Sequence, residues 1–340
     1  MEWSKTLGKL TQGEDLTRDE AHEAMAEVMG GTATAAQTAA LIVALRIKGE
    51  TIEEITGLVE AMRAASIAVD VGLPVVDIVG TGGDRSGTFN ISTTAAFVAA
   101  GAGARVAKHG NRSASSECGS ADVLEGLGMV IDLSPDDTRT LIREESFGFF
   151  FARTYHPAMR HAGPVRSELG VPTVFNFLGP LTNPAGAAHL ALGVSDPNMA
   201  PKMIAVLRNL GAESAFVYYG EDGLDELTTT GPSYIYRLRN GEITHAEFTP
   251  EDFGVVRAVP HDLLGGDVHR NVEILRGVLS GEQGAARDIV LVNASAALVA
   301  SGLAGGFVHG VELAAGAIDS GAAAQVLSRV VARSQEMATG

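Results

Sequence analysis

Two glycine-bearing runs have the composition to hold phosphate: Gly80-Thr81-Gly82-Gly83-Asp84 and Lys108-His109-Gly110-Asn111-Arg112-Ser113. In the first, three glycines let the backbone turn tightly and bring N–H groups close to anionic oxygens without Cβ interference. It lacks the Lys-Ser/Thr ending of a P-loop and the third-glycine spacing of a dinucleotide fingerprint, and alone it reads first as an ordinary glycine-rich turn. The second continues through Ala114-Ser115-Ser116-Glu117-Cys118-Gly119-Ser120; its four serines, its asparagine and the cations Lys108 and Arg112 favour an anion site. Taken singly, Lys108 also reads as a strand-end charge and His109 as a core histidine. The adjacent carboxylates Asp225 and Glu226 are either a solvated surface pair or the hard oxygen ligands that Mg²⁺ requires, particularly Mg²⁺ shared with a pyrophosphate. Arg166 follows the turn His156-Pro157-Ala158-Met159-Arg160 and is either a surface charge or a planar partner for a ligand carboxylate.

These residues need a scaffold that brings them together. Residues 74–79 read as a buried strand, 92–100 as an alanine-rich helix and 105–108 as the next strand. Such a βαβ crossover makes the strands parallel, so both glycine loops leave the same sheet edge, where open α/β sheets bind ligands. The helix begins near Asn90-Ile91-Ser92-Thr93, which puts amide and hydroxyl groups at its positive end. Further strands are expected at 130–133, 147–152, 190–194 and 214–219. Helices are expected from Ser134-Pro135-Asp136-Asp137, from Ser120 to Gly128, over 198–210 and from about Asp288 to the C-terminus. Upstream, Thr17/Glu20, Thr34/Gln37 and Thr51/Glu54 fit capping boxes, with Gly30-Gly31 and Gly49 as stops, so the first ~70 residues read as a small helical bundle. Pro157, Pro164, Pro172, Pro180 and Pro184 stiffen the irregular stretch 156–185, a pattern that shapes sites and hinges.

At 340 residues and 46% apolar, the chain has room for about two domains. A net charge of −16 weighs against nucleic-acid binding, which needs a basic footprint. No apolar run approaches the ~18 residues of a membrane span, and no signal-peptide pattern opens the sequence. The single cysteine, Cys118, rules out an internal disulfide and fits a reducing, cytoplasmic setting.

The run from Gly80 to Gly128 resembles the signature of the anthranilate phosphoribosyltransferases, members of the nucleoside phosphorylase-like phosphoribosyltransferase family. Residues 156–185 are similar to a second block of that family, 220–227 to a third and 265–303 to its C-terminal helical region, so the likeness covers nearly the whole chain. The resemblance implies an α/β fold class: a small helical domain over 1–72, joined by helices from about 165–190, and a large donor-binding domain over 73–340. The large domain would hold a central, mostly parallel sheet flanked by helices. It also implies a homodimer formed through the helical part, and transfer of phosphoribose from phosphoribosyl pyrophosphate to anthranilate in tryptophan biosynthesis. Carried over by position, Gly80, Gly83, Asp84, Thr88, Asn90, Ser92, Thr93, Lys108 and Ser120 would hold the donor. Ser92, Asp225 and Glu226 would serve about two Mg²⁺ ions. Gly80, His109, Asn111, His156, Arg166 and Gly179 would line the anthranilate channel, with Arg166 taking the carboxylate.

An aromatic amine is unprotonated at neutral pH, so its attack calls for positioning and leaving-group stabilisation rather than a general base. No catalytic acid or base is assigned; His109 is the candidate, in an orienting role. Glu117 departs from the resemblance by placing negative charge in the serine-rich loop. The rival functions are a pyrimidine nucleoside phosphorylase of the same fold, a non-catalytic nucleic-acid-binding relative, and a paralogue acting on substituted anthranilates.

Overall fold

The computed structural model describes residues 1–113 and 117–339; Ala114, Ser115 and Ser116 of the serine-rich loop therefore lie outside the described residues. Four helices open the chain: α1 (Trp3–Thr11), α2 (Arg18–Gly30), α3 (Ala35–Lys48) and α4 (Ile52–Ala64). The last three begin on the capping boxes read from the sequence. In each, a threonine hydroxyl accepts the N3 backbone N–H, and Glu20, Gln37 or Glu54 reaches back to the cap residue. Such a cap contributes about 1 kcal/mol. Gly31 closes α2 in the left-handed conformation, as expected of a helix-stop glycine. Helix α1 has no side-chain cap, which is why the sequence pattern does not announce it.

The chain then alternates: β1 (Val76–Gly80), α5 (Ile91–Gly101), β2 (Val106–Gly110), α6 (Ser120–Gly126), α7 (Pro135–Glu145) and β3 (Phe147–Phe151). Three short helices follow, α8 (Ala152–Tyr155), α9 (Gly163–Leu169) and α10 (Phe175–Leu178), before β4 (His189–Gly193), α11 (Ala200–Asn209) and β5 (Ser214–Gly220). A hairpin of β6 (Ser233–Arg239) and β7 (Glu242–Phe248) precedes the terminal helices α12 (Val268–Leu279), α13 (Ala285–Ala300), α14 (Phe307–Asp319) and α15 (Ala322–Thr339).

The strands form one sheet in the order β3-β2-β1-β4-β5-β6-β7. β1 to β5 are parallel, whereas β6 and β7 extend the sheet antiparallel. Strand addition reverses between β1 and β4, and such a reversal opens a crevice at the strands' C-terminal ends. Val76, Ile78, Val106 and Ala191 point into one core with α5 and α13; Val79, Leu190 and Leu192 point into the other. That second core includes residues of α1 to α4 together with Val165 of α9, Phe175 of α10 and Met203 of α11.

Two differences from the sequence reading stand out. Residues 130–133 are not a strand: the Val130 N–H donates to Ser334 Oγ at 3.0 Å, and Ile131 and Leu133 pack as irregular chain into the first core. The hairpin β6–β7 was not expected, although its turn carries a recognisable signal. Asn240 and Gly241 both have positive φ (53° and 78°), the conformation that a tight Asn-Gly hairpin turn requires.

Candidate active site

Gly80 and Gly193 end the adjacent strands β1 and β4, and the loop after β5 packs Asp225 against both. A Cβ on Gly80 would strike the Asp225 carboxylate, and one on Gly193 would strike its backbone carbonyl. Glycine is therefore required at both strand ends for this approach. The Gly82 N–H donates to Asp225 Oδ2 at 2.6 Å, while Gly82 and Gly83 occupy the left-handed region (φ 68° and 82°). Glu226 Oε1 accepts the Ser92 N–H at 3.2 Å, so a carboxylate faces the positive end of α5. Helix α13 fixes this acidic loop from behind. Asn293 Oδ1 accepts the Leu227 N–H and its Nδ2 donates to the Leu227 carbonyl, both at 2.9 Å.

Asp225 and Glu226 are buried, unlike the solvated surface pair that a loop motif suggests. Burial, followed by the nearby Asp84 charge, pushes the Asp225 carboxyl up from 3.8 to about 6. Burial and then the Asp225 charge hold Glu226 well above the ordinary carboxylate range. Lys108, only 2% exposed, faces them with Nζ donating to the Ile78 carbonyl at 2.6 Å and to Ser92 Oγ at 3.3 Å. Burial lowers its pKa against the pull of Asp77, Glu226 and Asp225. Among the described residues no three acidic, histidine or cysteine side chains converge into a complete metal cluster. Two buried, under-neutralised carboxylates instead fit a hard cation that completes its shell with ligand oxygens and water.

The remaining residues expected at the phosphate loops cluster at the start of α5. Ser86 Oγ donates to Asp84 Oδ2 at 2.6 Å and lies 3.2 Å from the Thr88 hydroxyl, while Thr88 bridges to Leu264. Asn90 is held by Asn271 Oδ1 and by the Cys118 carbonyl (3.0 and 3.2 Å). Asn90 Oδ1 and Thr93 Oγ1 are buried without a partner, so each has unused hydrogen-bonding capacity. In the second loop, Ser120 Oγ donates to the Asn111 carbonyl at 3.1 Å. Arg112 is not available as a phosphate cation: its guanidinium is paired with Asp122 at 2.8 Å and with Glu125. Glu117 is exposed to solvent.

The other face of β2 has a different chemistry. Because side chains alternate along a strand, Lys108 reaches α5 while the next residue, His109, turns to the opposite side and meets His156, with ring centroids 5.0 Å apart. The Gly179 carbonyl accepts from the His109 ring and the Thr182 carbonyl from His156. Nε2 of both rings is buried without a partner. Burial lowers the two imidazole pKa values to about 3 and about 4, with the His156 charge adding to the effect on His109, so both are neutral near pH 7. Arg166 stands on α9 with its guanidinium 4.9 Å from the Phe175 ring centre. Burial lowers its pKa, and among the described residues no carboxylate forms an ion pair with it. An unpaired, desolvated guanidinium stacked on an aromatic ring is a receptor for a planar anion.

Residues 4–66 match the glycosyl transferase family, helical bundle domain, and residues 72–324 match the glycosyl transferase family, a/b domain. The anthranilate phosphoribosyltransferase of Rubrobacter xylanophilus is 50% identical over 98% of each chain. The chain belongs to the anthranilate phosphoribosyltransferase family. The crystal structure of the Thermus thermophilus anthranilate phosphoribosyltransferase is 44% identical and superposes with a TM-score of 0.92 over 97% of this chain and 99% of that one. The Saccharomyces cerevisiae enzyme, solved in complex with PRPP and Mg, is 27% identical with a TM-score of 0.90 over 98% of both chains.

Against this family background, the sequence reading missed four residues that touch the site's walls. Asn293 anchors the acidic loop, and the Tyr218 hydroxyl is buried without a partner in the field of Glu226 and Asp225. Asp77 accepts from Asn183 Nδ2 at 2.7 Å and from the His109 backbone N–H at 3.1 Å. Its signal was present as a lone charge within Val75-Val76-Asp77-Ile78-Val79, a strand buried on both faces. Asn183 and Asn293 carried no such signal, because an isolated asparagine in a loop or helix has many ordinary explanations.

Proposed function

We propose that the chain transfers the phosphoribosyl group of phosphoribosyl pyrophosphate to anthranilate, giving N-(5-phosphoribosyl)anthranilate and pyrophosphate in tryptophan biosynthesis. The observation that carries this reading is the division of β2 into two unlike faces. One face sets Lys108 beside the α5 N-terminus and two buried carboxylates; the other sets two neutral imidazoles together, in the helical layer that also carries the unpaired Arg166. A polyanionic donor and an aromatic carboxylate acceptor are the pair of ligands that these faces suit.

Gly80, Gly83, Asp84, Thr88, Asn90, Ser92, Thr93, Lys108 and Ser120 are proposed to hold the donor. Orphaned oxygens on Asn90 and Thr93, and an α5 start that Asn90 does not cap with its own side chain, support that assignment. Asp225, Glu226 and Ser92 would hold Mg²⁺, which when bound neutralises charge on the departing pyrophosphate; about two ions suit a pyrophosphate clamp. On the acceptor side, Arg166 takes the carboxylate, while Gly80, Asn111 and Gly179 border the channel. His109 and His156 each offer an unprotonated Nε2 that accepts an N–H of the amine. This leaves the nitrogen lone pair directed at the anomeric carbon as the bond to pyrophosphate breaks. Attack needs no prior deprotonation, so the two histidines orient the amine, and the one proton that the nitrogen sheds leaves through one of them only after the C–N bond has formed.

We also propose that residues 1–72, with helices from about 165–190, form the small domain, and 73–340 the large one. The core shared by α1 to α4 with α9 and α10 supports this division. Ile47 on α3, 82% exposed, supports dimer formation through the helical part. The lone cysteine fits a cytoplasmic enzyme, and no described helix is long and apolar enough to cross a membrane. Mass spectrometry of a reaction containing protein, anthranilate, phosphoribosyl pyrophosphate and Mg²⁺ tests the function, with a parallel arm of uridine and phosphate. Phosphoribosylanthranilate should form in the first arm alone; uracil release in the second, without product in the first, would sink the transferase reading in favour of a phosphorylase.

A further inference from the structure

β1 pairs with β4, and β2 with β3, along five consecutive positions each, yet β1 and β2 pair at the single position Val76–Val106. Beyond it, towards the site, side chains take over the backbone groups that a continuing ladder would join. Asp77 Oδ1 accepts the His109 N–H at 3.1 Å. Asn183 Nδ2 donates both to Asp77 Oδ2 and to the Ala107 carbonyl at 2.7 Å, and Lys108 Nζ donates to the Ile78 carbonyl at 2.6 Å. Asn183 Oδ1 in turn accepts the Ala185 N–H at 2.8 Å, which completes its hydrogen bonding.

Asp77 is fully buried on the face that carries His109, and Asn183 is 4% exposed. Burying a carboxylate is costly, and a valine would continue the strand without that cost. The pair is also continuous with the segment that holds both imidazoles. Thr182, whose carbonyl holds His156, precedes Asn183, and its hydroxyl donates at 2.9 Å to the carbonyl of Gly179, which holds His109. Asp77 thus reaches His109 twice, through its backbone N–H and through Asn183 to the 179–183 segment that supports its ring. Building on the proposed transferase function, we propose that Asp77, acting through Asn183, is a positioning residue that fixes the two imidazoles of the acceptor side.

An asparagine at position 77 is isosteric but has a single acceptor oxygen where the carboxylate uses two, so the bond to Asn183, the bond from the His109 N–H or the Asn183–Ala107 bond must be lost. The test compares Asp77→Asn, Asn183→Ala and the double variant by initial-rate kinetics, together with ¹⁵N spectra of histidine-labelled protein assigned with His109→Gln and His156→Gln. Each single variant should raise the anthranilate KM about tenfold while the donor KM changes less than about twofold. The double variant should be no worse than the poorer single, as expected for two members of one network. The His109 and His156 ring nitrogens, each fixed as one tautomer in wild type, should shift towards an averaged pair in Asp77→Asn. Proportional rises in both KM values, multiplying effects, or unchanged imidazole signals would each overturn the proposal. Should Asp77→Asn fail to fold, Asn183→Ala, which keeps the carboxylate, decides by the same readouts. The imidazole spectra decide the positioning on their own, whereas a wild-type protein without turnover would remove only the transferase reading.

Discussion

Replacing Asp225 with asparagine separates what a buried carboxylate costs the fold from what it supplies to the site. The rise of its pKa from 3.8 to about 6 corresponds, at about 1.4 kcal/mol per pKa unit, to about 3 kcal/mol by which the ionised form burdens the folded, metal-free protein at pH 7.5. Between the unfolded value and about 6 the native carboxyl binds more protons than the unfolded one. Its contribution to stability therefore falls as pH rises through that window and stays low above it. An asparagine keeps an acceptor for the Gly82 N–H, now at 2.6 Å, so the anchor of the glycine loop survives. Urea denaturation without divalent cations should show Asp225→Asn more stable than wild type by about 1–3 kcal/mol at pH 7.5 and by much less at pH 4. The histidine contributions have the opposite sign but are common to both proteins, so they cancel in the difference. Added Mg²⁺ should stabilise wild type and leave the variant unmoved, with turnover reduced at least about 100-fold. A variant less stable than wild type at pH 7.5, or one with an unchanged response to Mg²⁺, would show respectively that the Asp225 carboxylate does not burden the fold or does not hold the metal.

Three further outcomes follow from the same geometry. Arg166→Ala should raise the anthranilate KM by about 10- to 100-fold with the donor KM nearly constant, because its guanidinium has no protein carboxylate to release; equal effects in steady-state kinetics would mark a structural arginine. Gly193→Ala drives a methyl group into the Asp225 backbone carbonyl, and should cost about 1–3 kcal/mol in denaturant titrations and lower kcat/KM for the donor about tenfold. His109 and His156, lowered to about 3 and about 4, bind fewer protons folded than unfolded, so their stability contribution is present above pH 6.5 and is lost as pH falls through those lower values. Proton NMR between pH 7 and 5 should find both imidazoles unprotonated, and a midpoint near 6.5 for either would contradict their burial.

The parts of the fold that rest on local chemistry were legible in the sequence. Three Thr-x-x-Glu/Gln boxes marked three helices, and the βαβ unit from β1 to β2 followed from one apolar run, one alanine-rich helix and a second apolar run. What escaped depends on partners distant in the chain. Residues 130–133 have a strand's composition, but the Val130 N–H is taken by Ser334 of the last helix, so tertiary packing overrode local propensity. Adjacency left Asp225 and Glu226 open between a solvated surface pair and ligands of a hard cation, because the burial that separates the two depends on Gly80, Gly193 and Asn293. Arg112 was counted with the cations of the second loop because its pairing with Asp122 and Glu125 only appears once α6 is folded back on it.

The central claim is that the two faces of β2 bring a phosphoribosyl donor and an aromatic amine together. Following anthranilate fluorescence and pyrophosphate release in one reaction, with and without Mg²⁺, tests it most directly. One pyrophosphate should appear per anthranilate consumed, with both signals lost when phosphoribosyl pyrophosphate or the metal is withheld. Pyrophosphate release without loss of anthranilate, or no change in either across a range of Mg²⁺ concentrations, would contradict it.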